Sequence, residues 1–296
     1  MITQYPDYTR LDPDARQSLG WGDLTADAWG VQKVSLPFSV FHGLWTFDIP
    51  ATQWLMYEDD VEVSTSTNII SENSAAKLTS SATNADCLMV SRYTPRYQPN
   101  RGHLFSTAVW CPSKTADGIR EWGLQTPENG VFFRLKADGK LYAVQRSGGV
   151  ETKEEEITTT GVSGFDVQKG NVYDIQYQWR GVGNYYFYIN LVLVHTFSNL
   201  GTLTALSLQD PALPAAFRAK RTTADVSLYA GCVDITSENG NDDRLQYASA
   251  YAEDTINGTN IPLIVIKNPL QIASKTNTRM LELSRITLTC DKKALS

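Results

Sequence analysis

The side chains of this chain that could do chemistry are three histidines, a large set of carboxylates and a run of tyrosines. Imidazole is the usual acid–base group near neutral pH. His195 sits in the apolar run Leu191–Phe197, which fits a hydrogen-bonded imidazole in the core or at its rim. His103 follows Gly102 at the start of a strand-like run, and His42 lies within Phe41-His42-Gly43-Leu44-Trp45. None has a metal-ligand partner three to five residues away. Glycoside hydrolysis needs two carboxylates facing each other across a sugar. Glu121 beside Trp122, or Asp174 with Asp166, are candidates, but with 32 acids in the chain such pairings arise by chance.

Tyr186 and Tyr188 could stack on sugar rings, since alternation along a strand turns them away from Tyr185 and Phe187. Packing in a core, or against another subunit, is the stronger expectation for them. Calcium is the one cofactor the sequence leaves open, at the oxygen-rich stretches Asn239-Gly240-Asn241-Asp242-Asp243 and Asp59-Asp60. Neither follows the EF-hand pattern, and polar turns explain both equally well. Gly181-Val182-Gly183 has no helix pattern after it and reads as a turn rather than a dinucleotide loop. No nucleophile elbow or phosphate loop occurs. The expectation is a chain without catalytic, cofactor or metal residues, and hence not an enzyme.

The elements that would position these groups are strands. Tyr173-Asp174-Ile175-Gln176-Tyr177-Gln178-Trp179-Arg180 alternates strictly, with Tyr173, Ile175, Tyr177 and Trp179 on one face. Asp138-Gly139 between Val131–Leu135 and Leu141–Val144 marks a hairpin, and Asn190 marks another between Tyr185–Ile189 and Leu191–Phe197. Further strands are predicted at Leu44–Ile49, Cys87–Arg92, His103–Trp110, Ile119–Leu124, Val226–Ile235, Ile261–Ile266 and Met280–Thr289. A weak helical pattern covers Asp12–Leu19. This is an all-β chain, an antiparallel β-sandwich of jelly-roll or concanavalin-like kind. Three zones follow: an N-terminal arm with short strands over 1–60, the sandwich body over 61–250, and a C-terminal segment over 251–296 that closes the sheet or docks on a neighbour.

Composition narrows the function. With 296 residues, 42% hydrophobic, the chain can bury a core. A net charge of −6 and a pI of about 5.2 argue against a general affinity for nucleic acid. The acidic run Glu154–Glu156 reads as a solvated strand edge or loop. Cys87, Cys111, Cys232 and Cys290 are widely spaced and read as buried thiols. The polar, acid-bearing first ten residues do not read as a signal peptide, and the longest apolar stretch is too short to span a bilayer. A soluble protein with no membrane partner is expected.

Three groups of residues carry a resemblance. Asp27-Ala28-Trp29-Gly30-Val31-Gln32-Lys33-Val34 is followed by Pro37-Phe38-Ser39-Val40-Phe41; Arg96-Tyr97-Gln98-Pro99-Asn100-Arg101-Gly102 comes next. Then Asn129-Gly130-Val131-Phe132-Phe133 precedes Leu141-Tyr142-Ala143-Val144-Gln145-Arg146-Ser147 and Trp179-Arg180-Gly181-Val182-Gly183. In order and spacing, over roughly residues 25 to 240, these resemble segments of tailed-bacteriophage virion structural proteins. Val31 and Asn100 depart from the residues usual there. The resemblance implies a sandwich that serves as a capsid decoration, collar, tail or baseplate protein. It implies a protein that assembles in the host bacterial cytoplasm as a trimer or other homo-oligomer, with major capsid or tail proteins as partners.

On that reading Trp21, Trp29, Phe38, Phe41 and Trp45 of the arm are the candidate interface, too apolar to stay in water, buried against the body or a neighbouring subunit. The alternative is a carbohydrate-binding module that contacts host surface glycans, with Tyr186 and Tyr188 as the stacking residues.

Overall fold

A computed structural model describes residues 38–98 and 101–238, together with the two short strands at 271–272 and 275–276. The first unit of the chain runs Met1–Leu245 and the second Gln246–Ser296. Among the described residues every regular element is a strand.

The first sheet holds β1 (Phe38–Leu44), β4 (Ile69–Glu72), β5 (Ala75–Ser80), β7 (His103–Trp110), β12 (Asn171–Tyr177), β13 (Tyr185–Ile189), β14 (Val192–Phe197) and β16 (Val226–Ser237). Its order is β14-β13-β12-β7-β16-β5-β4, with β1 also pairing with β16. The second holds β2 (Trp54–Glu58), β3 (Val61–Val63), β6 (Asp86–Ser91), β8 (Gly118–Gln125), β9 (Gly130–Leu135), β10 (Leu141–Ser147), β11 (Val150–Glu156) and β15 (Ala215–Arg221). Its order is β11-β10-β9-β8-β15-β6-β2-β3, and all pairings in both sheets are antiparallel. This is the expected all-β sandwich. The second unit contributes β17 (Gln271–Ile272) and β18 (Lys275–Thr276), paired with each other.

Alternation builds the core. Trp122 packs edge-on against Tyr173 with ring centroids 4.9 Å apart, and Phe133 meets Phe187 at 5.1 Å, each pair joining one sheet to the other. Tyr173, Ile175 and Tyr177 all face inward, as the alternation predicts. The arm is corrected in part. Phe41 and Trp45 are buried, with Trp45 wedged between Trp54 and Phe217, so they are core residues and not a surface for a partner. Phe38 is 51% exposed, and Trp21 and Trp29 lie outside the described residues. The strand predicted at Leu44–Ile49 lies upstream, at Phe38–Leu44, because that segment pairs with β16 and the chain turns over Pro50 before β2. Ile261–Ile266, Met280–Thr289 and the helix at Asp12–Leu19 fall outside the described residues, as does Cys290.

Turns follow the chemistry of the left-handed region. Asp59 and Asp60 (φ 49° and 66°) close β2 to β3, and Asn190 and Leu191 (φ 50° and 67°) close β13 to β14. Gly183 ends the predicted Gly181–Gly183 turn, where a Cβ would lie 1.5 Å from the Gln178 carbonyl oxygen. Leu191 has no such excuse. A leucine in this conformation is strained by about 1 kcal/mol. Leu191→Gly is therefore expected to stabilise the sandwich by about that amount, read as a raised urea midpoint with unchanged slope. A lowered midpoint would disprove it.

The outward face of the second sheet is a charge network. Arg134 bridges Glu121 (2.6 Å), Glu151 (2.5 Å) and Glu154 (2.7 Å), and Arg218 pairs with Asp86. The acidic run predicted as a solvated edge is β11, the edge strand itself, and its charges blunt that edge against pairing with another chain. The Arg134 guanidinium beside Glu151 holds its carboxyl down at about 2, below the ordinary 4.5. A depressed acid stabilises the fold above its unfolded pKa and stops doing so once protonated. The contribution is thus present above about 4.5 and lost as the pH falls to about 2. Urea midpoints measured across that window are expected to fall with pH, and to fall less in Glu151→Gln. Parallel curves for the two proteins would refute the assignment.

Candidate functional site

The outward face of the first sheet gathers a row of polar groups. Residues between inward-facing neighbours must point outward. Asp174 stands between buried Tyr173 and Ile175, Ser106 between Phe105 and Thr107, Asp234 between Val233 and Ile235. The register sets Asp174 opposite Ser106, Ser106 opposite Asp234, Asp234 opposite His42, and Asp174 opposite Tyr188. One row therefore crosses five strands, His42–Asp234–Ser106–Asp174–Tyr188. Asp174 and Asp234 are two strands apart, about 10 Å between Cα atoms.

The two acids sit in different surroundings. Burial pushes the Asp174 carboxyl above its ordinary value, and the Ser106 side chain opposes this only in part. Asp234 accepts hydrogen bonds from Ser39 and Thr236, both at 2.5 Å. Two residues along β12, Gln176 is 2% exposed. Its Oε1 accepts from the Tyr188 hydroxyl at 3.4 Å, while its Nε2 donates to nothing. A buried amide donor without an acceptor costs about 1–3 kcal/mol. Tyr186 faces the same way and is half-buried; Tyr188 is 6% exposed, so its ring is not an open platform.

The other candidates separate cleanly. Glu121 is fully buried and held by Arg134, with Arg218 at 3.8 Å, which makes it a structural counter-ion. Asp166 caps its own turn, accepting from the Gln168 amide, and does not join Asp174 in the row. His103 is buried against Tyr97 and Tyr177, where desolvation takes its imidazole down to about 4. His195 packs between Phe187 and Phe197, with Nε2 3.5 Å from Glu155, and burial lowers it too. Asp59 and Asp60 are the central residues of a tight turn, and Asp59 accepts the Asp86 amide. Among the described residues no three or more His, Cys, Asp or Glu side chains come together as a metal site, and Asn239–Asp243 lies outside them. Cys87 and Cys111 are buried free thiols, each pushed up to about 12 by desolvation.

No protein-family model and no curated protein matches the sequence. The fold does have solved relatives. The chain is similar to the endo-1,3-beta-glucanase from Streptomyces sioyaensis, with a TM-score of 0.52 and 13% identity over 68% of this chain and 96% of that one. A beta-1,3-glucanase from Mycobacterium marinum (TM-score 0.49, 12% identity, 67% and 98% covered) is also similar. So is the catalytic domain of an endo-1,3-beta-glucanase (laminarinase) from Thermotoga petrophila (TM-score 0.48, 11% identity, 70% and 100% covered). At such identities the likeness defines a concanavalin-like sandwich fold, as the strand pattern predicts.

It also corrects the functional expectation. The chain was expected to be a virion structural component without catalysis, on the strength of motif resemblance. The solved structure it matches with a TM-score of 0.52 is an endo-1,3-beta-glucanase, and no family model or curated protein supports the virion motifs. The alternative expectation, carbohydrate recognition, is the one these findings favour.

Proposed function

We propose that the protein engages an extended polysaccharide across the outward face of the first sheet. The observation that carries this reading is the Asp174–Ser106–Asp234 row. Carboxyl and hydroxyl groups in a row match the donors and acceptors of sugar hydroxyls. From β13 across to β1, this face carries no Lys or Arg among the described residues, which suits an uncharged chain. The endo-1,3-beta-glucanase likeness makes a soluble β-1,3-glucan the first ligand to try.

A second reading, hydrolysis of that polysaccharide, is favoured by the two acids themselves. Strand spacing sets their Cα atoms about 10 Å apart, and an inverting mechanism works with roughly 6.5–9.5 Å between its carboxyls. Asp174, whose pKa burial raises, would protonate the leaving oxygen, and Asp234 would draw the proton from the attacking water. Affinity electrophoresis of the full chain in gels containing β-1,3-glucan, followed by an assay for released reducing ends, tests both. Retardation is expected, and Asp234→Ala is expected to abolish most of it. Migration unchanged by that glucan and by other neutral glucans would end the binding reading; retardation without reducing ends would end the hydrolytic one.

A further inference from the structure

The same sheet face ends in a second aromatic feature that the acid row does not use. The outward residues of β7 are Leu104, Ser106, Ala108 and Trp110. Trp110 lies opposite Tyr229 of β16, and the two rings are nearly parallel, 13° apart with centroids at 5.1 Å. Tyr229 is fixed from several sides. Its hydroxyl donates to Glu72 at 2.8 Å, the Lys77 ammonium stands 5.5 Å from its ring centroid, and Lys77 is itself paired with Glu72 at 3.0 Å. Trp110 leans on this braced ring and is half-buried.

Between Trp110 and the acid row the sheet carries few bulky side chains on β7 and β16. Ala108 fills the intervening position of β7. At the bulge in β16 stands Gly231, where a Cβ would come to 3.6 Å from the Ala108 Cβ and 3.8 Å from the Trp110 ring. Ala108 and Gly231, with Cys232 on one side and Val172 on the other, thus form the stretch that joins the Trp110 indole to Ser106, Asp174 and Asp234. From Ser106 to Trp110 is four residues of strand, about 13 Å, further than one pyranose ring reaches.

We infer that Trp110, braced by Tyr229 and the Glu72–Lys77 pair, is a distal stacking subsite for the same polysaccharide. The negative face of an indole attracts the C–H edges that a pyranose ring presents. The bracing matters because a side chain already fixed loses little freedom on binding. The inference rests on the glycan reading above but makes a separate demand: only chains long enough to span from the acid row to Trp110 gain from it.

The test is a titration of the full chain with a β-1,3-linked glucose series from disaccharide to hexasaccharide. In the native protein, affinity is expected to step up once the oligosaccharide bridges the gap. Trp110→Ala is expected to remove that step, weakening long ligands about tenfold and leaving short ones unchanged. Trp110→Phe keeps a ring and is expected to retain most of it. Since Trp110 is outward-facing, equal thermal midpoints for the three proteins confirm that each is folded. A Trp110→Ala loss equal at every length, or none at any length, overturns the subsite while leaving glycan binding in place. Failure of the native protein to bind any member of the series or the parent glucan overturns both.

Discussion

Arg134→Met is expected to lower the unfolding free energy by about 3–5 kcal/mol, as the loss of one partner from a buried ion pair does. Arg134 is almost enclosed. Its Nε donates to Glu121 at 2.7 Å, its Nη1 to Glu151 and Glu154, and its Nη2 to Glu151, so one guanidinium ties β8 and β11 to β9. Glu121 has no access to water, and without Arg134 it retains only Arg218, at 3.8 Å. A buried carboxylate so stranded must ionise at a cost or take up a proton. Methionine fills much of the aliphatic volume, so the loss reports on charge rather than on a cavity. A companion variant separates the two: Arg134→Met with Glu121→Gln should recover a large part of the loss, because the uncompensated charge is then gone. Chemical denaturation at neutral pH reads both. A single-variant loss under about 1 kcal/mol would place this network with ordinary surface pairs and refute the role given to Arg134.

The strands around this network were legible, and the network was not. Alternation alone identifies β12, and the Asp138-Gly139 and Asn190 turns identify the β9–β10 and β13–β14 hairpins. β5 and β15 escape notice because Ala75, Ala76, Ala215, Ala216 and Ala219 line them. Small side chains carry no periodic hydrophobic signal, yet they are needed where bulky rings from the opposite sheet close in. Trp45 shows a different limit. Its apolarity is plain in the sequence, but whether an indole meets its own core or another subunit depends on where β1 pairs, and β1 pairs with a strand almost 200 residues further on.

The candidate site is illegible for the same reason. Ser106, Asp174 and Asp234 belong to strands scattered through the chain, and only the order β12-β7-β16 makes them neighbours. The period of two put Asp174 on the polar face of its strand, and nothing in it named Ser106 or Asp234 as neighbours. The Asp166–Asp174 pairing was plausible by nearness in sequence and failed because Asp166 is committed to its own turn. Trp110 was visible as the end of a strand. That it leans on Tyr229, and is held there by Glu72 and Lys77, follows only from three further strand pairings.

Asp174→Asn is expected to make the protein more stable near neutral pH and functionally worse. Burial raises the Asp174 pKa, so the folded chain holds this proton more tightly than the unfolded one. The sign follows from linkage: where the folded state binds more protons, stability falls as the pH rises. The ionised carboxyl is therefore a burden that sets in above the ordinary value of 3.8 and is fully present once the pH passes the raised folded value. Asparagine has nearly the same shape, carries no charge, and its Oδ1 can still accept from Ser106. The thermal midpoint of Asp174→Asn should therefore exceed that of the native protein at pH 7, with the advantage shrinking as both are acidified towards 3.8. If the protein hydrolyses glucan, the variant should lose about 10²–10⁴ in turnover, the range expected for a lost general acid. If it only binds glucan, the loss is confined to affinity. A structural aspartate would give neither pattern: replacing one that supports the fold lowers the midpoint, and a midpoint that drops at pH 7 would remove Asp174 from the site.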